Sequence, residues 1–535
     1  MAISTEMTSR TVLTNRTNVD ADGDDIIMGI PLAGPSNDRK RPLANTSQQP
    51  LKRARRSSAL LCDFSSEDED AAPHNSFKLS GRRDVHGLRM RAMGALSSPT
   101  SIYDYPTRSL LRSFVSSDKA DLFKCHSTET NAFVSLPYAC SYTHAAKRGA
   151  TPLLAVATEQ GFVHILNTSR RREWDVEPQR TTFQPYANGI FDVQWSHDDT
   201  LIATACGGQR AQVSQVTPTG VTVLHQLTGH TGTVKCVSWD PTRAGSVLST
   251  GGRDGNICVW DLRVEASLGE CAPVIKITGA HDEQGQAKPR ARKGRLAPAP
   301  PMRSVTSLVY SPNSPNKLVS SGSVDGILRQ WDLLMPDMIK RRSSKPKAVP
   351  THQSSMDPTM YQGTRRTRGI SSLSLGIGPS SGYLFASGND SLVHTYEVAS
   401  LEALSGRNMD DDPWSYGHPN MKTGSFFVRS ALSPCGRWLA SGGADKGSVF
   451  LYDVSGTLVS RFSGQLQATT RRRGVQLCGQ TGEVGVVDWA DGMLASCADD
   501  GTVRIWRPDM EKSLQCQSDP EEMKWNWKWA SDDLE

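Results

Sequence analysis

Gly376-Ile-Gly378-Pro-Ser-Ser-Gly382 is a glycine-rich run of the type that can cradle a phosphate. Its last interval is wrong for a dinucleotide loop, and it reads as a hairpin turn. The sequence contains no Walker A run, no H-E-x-x-H and no G-x-S-x-G, so phosphoryl transfer, zinc hydrolysis and elbow-type acyl transfer have no signature here. The 11 cysteines are scattered without a C-x-x-C pair, which argues against a zinc or redox site and for reduced, buried thiols. No catalytic residue, metal ligand or cofactor site is expected.

The His, Asp, Ser and Trp residues that remain recur at fixed offsets, and that recurrence is structural. Val247-Leu-Ser-Thr-Gly-Gly-Arg-Asp254-Gly-Asn-Ile-Cys-Val-Trp260-Asp261 is echoed by Leu318 to Asp332 and by Leu494 to Trp506. Each copy is a strand, a tight turn opened by Asp-Gly, and a second strand closing on Trp. Weaker copies begin at Leu154, Leu384 and Leu439, and a degenerate one at Leu201. About seven units at close to the roughly 40–45-residue WD40 period predict an all-β WD40 β-propeller. A single four-stranded blade cannot bury both faces, so the blades must pack radially. His230, Ser249, Asp254 and Trp260 are assigned to one buried hydrogen-bond chain, His to Asp and Ser to Trp, because buried polar groups need partners. In the last unit Gln480 replaces the His, so its chain is expected to be incomplete. Pro106 to Val115 is predicted to be an N-terminal strand that closes the ring and removes a sheet edge.

The elements around this ring differ in composition. Hydrophobic residues are 37% of the 535, and the formal charge is +5. The hydrophobic share is below the usual globular value of roughly 45–50%, which assigns part of the chain to unfolded segments. Residues 1–100 are expected to be a disordered tail and 101–510 the propeller, with basic insertions at 282–303 and 336–368. Residues 511–535 form a Trp-rich acidic tail, in which three alternate Trp would share one strand face. In the N-terminal tail Arg39, Lys40 and Arg41, then Lys52, Arg53, Arg55 and Arg56, have the two-cluster form of a nuclear-import signal, which predicts a nuclear protein. The start has no apolar h-region, and no apolar run reaches 18 residues, so neither secretion nor a membrane partner is expected. The insertions, around Lys288–Arg295 and Lys340–Arg368, could meet DNA phosphates, and such contact would weaken steeply with salt.

Trp260-Asp261-Leu262-Arg263 resembles the end of the sixteen-residue box of propellers recruited to cullin-4 ubiquitin ligases. The resemblance implies that Trp260, Asp261 and Arg263 form an adaptor-binding element, with Arg263 projecting below the ring toward the triple-propeller adaptor. The adaptor in turn carries cullin-4 and the RING subunit. The next unit reads Trp331-Asp332-Leu333-Leu334 and lacks that Arg. A longer series runs through Leu154–Val163, Asn188–Trp195, Thr250–Ile257, Gly279-Ala-His281, Ser323–Gly326 and Ser425–Pro434, and resembles the denticleless family. Membership would imply a substrate receptor that delivers degron-bearing replication-licensing proteins, held on the sliding clamp PCNA on chromatin, for ubiquitination in S phase and after DNA damage. Glu159, Arg253 and Glu483, from top-face turns and loops, are the candidate substrate contacts, because family substrates carry a basic residue beside their clamp-binding motif. A chromatin- or histone-binding propeller with no ligase link is the alternative, and Arg263 is the residue that discriminates the two.

Overall fold

The computed structural model describes residues 107–531, apart from 128–133, 265–269, 283–302, 340–346, 361–365, 405–411, 456–473 and a few isolated positions. The N-terminal tail with its import clusters, and the basic run Lys288–Arg295, lie outside the described residues.

Seven sheets form the ring, antiparallel apart from the short strand Glu270–Cys271, which adds in parallel to the edge of blade 2. Blade 1 runs through Pro137–Tyr142, Leu153–Thr158, Val163–Asn167 and Thr181–Phe183. Blade 2 follows with Ile190–Trp195, Leu201–Cys206, Arg210–Thr217 and Gly220–Thr228, and blade 3 with Val234–Trp239, Val247–Gly252, Ile257–Asp261 and Ile275–Ile277. Blade 4 uses Val305–Tyr310, Lys317–Gly322, Arg329–Asp332 and His352–Gln353; blade 5 uses Ile370–Leu375, Tyr383–Gly388, Val393–Glu397 and Ser415–Tyr416. Blade 6 comprises Ser430–Leu432, Trp438–Ser441, Ser448–Asp453 and Val475–Cys478. All seven repeats read in the sequence thus supply the second strand of a blade. The stretch 336–368 is not wholly an insertion, since it contains the outer strand of blade 4 beside the small hairpin Asp337–Ile339/Lys347–Val349.

Strand burial follows from radial packing. Val247–Gly252 is buried at all six positions, because a neighbouring blade covers each face. Gly251 is part of that fit: a Cβ there would lie 2.6 Å from Val305 of the next blade. Indole N–H groups tie adjacent blades together. Trp195 Nε1 donates to Ser141 O, Trp239 Nε1 to Gln194 O and Trp489 Nε1 to Ala431 O, each at 3.1 Å.

Blade 7, Val484–Ala490, Met493–Ala498 and Thr502–Pro508, takes its outer strand from the N-terminal side of the propeller. Phe114–Ser117 and Leu122–Lys124 both pair with Thr502–Pro508. The predicted closing strand therefore exists, but shifted: Thr107–Arg112 is a helix. Leu111 and Phe114 both enter the core shared by blades 6 and 7, and three-residue spacing reaches one pocket from a helical turn, not from a strand.

The C-terminal segment adds a second clasp. After the helix Met510–Ser518, Trp527–Trp529 pairs with Phe114–Ser117, and Ala530 bridges to Leu477 of blade 6. Only Trp527 and Trp529 share the strand; Trp525 stands outside it, 74% exposed. Truncation at Asp509 is expected to leave the blades folded but to remove about 2–4 kcal/mol of stability and expose an edge strand. Urea unfolding and light scattering would check this, and an unchanged midpoint with no self-association would show that the clasp adds nothing.

Candidate functional site

The polar chain of blade 3 is present, but its hydroxyl is Thr250 and not Ser249. Asp254 accepts from His230 Nδ1 at 3.1 Å; His230 Nε2 lies 2.8 Å from Thr250 Oγ1; Trp260 Nε1 donates to the same oxygen at 2.9 Å. One proton arrangement satisfies every atom. The Asp254 carboxylate takes the Nδ1 proton, so Nε2 accepts from the Thr250 hydroxyl, whose oxygen accepts from Trp260. Strand alternation explains the correction. Leu248 faces Trp260 in the ladder, so Thr250, two residues on, shares that side, whereas Ser249 points to the opposite face and meets Tyr310 of blade 4 at 2.5 Å. Burial raises the Asp254 carboxyl pKa, but the hydrogen bonds from His230, Thr231 N and Asn256 N outweigh it and hold it well below the usual range.

Blade 4 has Ser320 at the matching position, between His281 Nε2 and Trp331 Nε1, both at 2.9 Å. There Asp325 pairs with Arg303 instead, and burial, then Arg329 and Arg303, keep His281 neutral. Blade 7 departs from expectation. Gln480 leaves no gap: Ser496 Oγ donates to Gln480 Oε1 at 2.6 Å, Gln480 Nε2 donates to Thr502 Oγ1 at 3.0 Å, and Thr502 donates to Asp500 at 2.6 Å. Trp506 Nε1 closes on Ser496 at 2.9 Å. The amide supplies the acceptor and donor that an imidazole would, with Thr502 spanning the extra distance.

Arg263 follows the end of the strand that carries Trp260. Its Nε and Nη2 donate to the two oxygens of Asp261 at 2.9 and 2.7 Å, while its side chain stays 63% exposed. The hydrogen bonds from Arg263 hold the Asp261 pKa below its ordinary value. This bidentate pair fixes the guanidinium at the rim with its remaining N–H groups toward solvent. Trp260, expected to contact an adaptor, is fully buried and anchors the strand instead of presenting a surface. Leu334, at the corresponding place in blade 4, is exposed.

The opposite rim is formed by the turns that precede these strands. Arg253 is exposed in the turn before Ile257–Asp261, so it and Arg263 lie at opposite ends of one five-residue strand, roughly 16 Å apart. Glu159 is half-buried, with Leu136 N and Tyr138 Oη donating to its carboxylate at 3.3 and 3.4 Å. Glu483 is half-buried in the loop entering the innermost strand of blade 7. Of the three candidate substrate contacts, Arg253 is thus the solvent-exposed one.

What the sequence did not reveal lies between them. In six blades the innermost strand shifts register across its second residue: Tyr138, Phe191, Lys235, Thr306, Ser371 and Gly485. A bulge re-aims the residue it carries, here at the mouth of the channel. Phe427 lies over Gly485 and stacks on Tyr138 at 5.2 Å; Tyr138 stacks on Phe191 at 5.6 Å. The Lys235 ammonium sits 4.1 Å from the Phe191 ring centre. Arg429, from blade 6, crosses to blades 2 and 3: it donates to Asp192 at 2.6 Å, to Phe191 O at 2.8 Å and to Lys235 O at 3.1 Å. The only sequence signal for this cluster was the aromatic pair beside Arg429, and nothing in it named the partners.

Among the described residues no cluster of His, Cys, Asp and Glu could hold a metal ion, and no helix is long and apolar enough to cross a membrane. Described cysteines are free, and most are buried. Of the second basic stretch, Arg366 and Arg368 are described, whereas Lys340, Arg341, Arg342, Lys345 and Arg365 are not.

Comparison with known proteins gives two findings. The family model for the WD domain, G-beta repeat, matches residues 221–261, 301–332 and 475–507. The chain is 32% identical over 384 residues to the denticleless protein homolog of Danio rerio, covering 69% of this chain and 51% of that protein. It is 29% identical over 437 residues to the Homo sapiens homolog, with 78% and 52% covered, and 26% identical over 374 residues to the protein lethal(2)denticleless of Drosophila melanogaster, with 68% and 44% covered. The chain spans about half the length of the relatives it matches.

Proposed function

From the premise that the chain belongs to the denticleless family of WD40 proteins, we propose that it is a non-catalytic substrate receptor of a nuclear cullin-4 RING ubiquitin ligase. The rim that carries Arg263 takes the triple-propeller adaptor, through which cullin-4 and the RING subunit are recruited. The opposite rim takes substrates, namely replication-licensing proteins held on PCNA and chromatin. The ligase supplies the chemistry, and the receptor contributes proximity. The observation that supports this reading best is the guanidinium of Arg263, solvent-facing and locked on Asp261 at one end of a blade. Arg is the residue suited to docking of this kind, because its fork is rigid and permanently charged.

Replacing Arg263 by Ala tests it. The side chain is exposed and pairs with Asp261 of its own turn, so thermal stability is expected to hold. Recovery of the cullin-4 adaptor with the full chain from S-phase nuclei is expected to fall at least about tenfold, as when an interface Arg anchor is lost. Undiminished adaptor recovery would sink the ligase reading and favour the chromatin-binding propeller with no ligase link.

A further inference from the structure

Of the acidic and basic contacts that the sequence offered on the substrate side, the basic one is the more open at the channel mouth. Glu159, offered there as an acidic contact, spends its carboxylate on Leu136 N and Tyr138 Oη. Asp192 is buried and accepts from Arg429, Val193 N and Val237 N. Beside them stand two cations, half-buried Lys235 and exposed Arg253. Arg253 donates its backbone N–H to Thr233 O at 2.7 Å, two residues before Lys235, and Arg429 donates to Lys235 O at 3.1 Å; burial first, then these two like charges, push the Lys235 ammonium down to about 7. Its ammonium lies on the Phe191 ring and within 5.6 Å of the Phe427 ring centre. That face already attracts a cation, and a tethered one occupies it.

We propose that the mouth binds an acidic side chain of a partner peptide, held between Lys235 and Arg253 and flanked by the apolar patch of Tyr138, Phe191 and Phe427. The proposal rests on the reading that this rim takes the substrate, and not on the ligase link. Charge complementarity selects the occupant. A carboxylate arriving here relieves the repulsion among Lys235, Arg253 and Arg429, while a basic side chain adds to it and must displace Lys235 from the rings. The stacked rings, half-buried around the bulge positions, offer contact area to an aromatic or aliphatic residue beside the acid. Arg429 stays committed to the ring itself through its bonds to blades 2 and 3.

Fluorescence anisotropy on the full chain tests this with three short labelled peptides, alternating Glu and Phe, Lys and Phe, or Gln and Phe. The Glu peptide is expected to bind at least about tenfold more tightly than either of the others, as for gain of one charge-assisted contact. Lys235→Met and Arg253→Gln should each weaken it about tenfold. Arg253 is exposed, so its variant keeps the test open if Lys235→Met does not fold. Arg263→Ala should leave the peptide affinity unchanged, which separates this site from the adaptor rim and lets either reading fail alone. Preference for the Lys peptide, or affinity indifferent to both variants, overturns the proposal. The N-terminal tail carries an acidic run, Glu67-Asp68-Glu69-Asp70; if the Glu peptide gains about tenfold only once these four are changed to Gln, the mouth takes that run of the chain itself, and the partner assignment is wrong.

Discussion

Thr250→Val is expected to destabilise the propeller by about 3 kcal/mol, more than Ser249→Ala beside it. The substitution keeps shape and removes one hydroxyl. That hydroxyl serves two buried groups, Trp260 Nε1 at 2.9 Å and His230 Nε2 at 2.8 Å. Each buried polar atom left without a partner costs about 1–3 kcal/mol, and both lie where no water replaces the loss, since Trp260 is fully buried and the His230 side chain is 1% exposed. Thr250→Ser should recover most of the stability, because Ser320 and Ser496 fill the same role in blades 4 and 7. Ser249→Ala breaks a single contact to Tyr310 and should cost about 1 kcal/mol. Urea midpoints of the three variants decide the matter. If Ser249→Ala is the more damaging, or if Thr250→Ser is no better than Thr250→Val, the network runs through the wrong hydroxyl here.

That pair of residues also marks how far the sequence could be read. The repeat, the seven blades and the buried Trp were legible because they follow from hydrophobic alternation and turn chemistry, which are local. Ser249 and Thr250 are both small hydroxyls, and only the ladder register decides which faces Trp260; a shift of one residue exchanges the two faces. The helix at Thr107–Arg112 was missed for a similar reason. Its Leu-Leu pattern fits a strand or a helical turn, and packing against blades 6 and 7 chose the turn. Gln480 was read as a defect because the sequence does not display that Thr502 can relay its amide to Asp500. The channel mouth was the least legible feature. Its members come from blades 1, 2, 3 and 6 and meet only when the ring closes.

Arg429 shows what such a non-local contact contributes, and its removal carries the other large expected effect. Arg429 and Asp192 stand 237 positions apart, yet their side chains meet at 2.6 Å. The same guanidinium caps carbonyls of Phe191 and Lys235, so one side chain from blade 6 holds blades 2 and 3 across the channel. Arg429→Met keeps the length and loses all three bonds. Breaking a buried ion pair by removing one partner costs about 3–5 kcal/mol, mostly the penalty of the stranded charge. Here the lower figure applies, because Asp192 keeps Val193 N and Val237 N as donors. Asp192→Asn removes the charge that Arg429 neutralises, so the double variant should cost less than the sum of the single ones by about 2 kcal/mol, as coupled neighbours do. A strictly additive pair would mean that the bond contributes no coupling between the blades. Coupling without adaptor loss, measured beside Arg263→Ala, would separate what holds the ring closed from what the ring presents at its two rims.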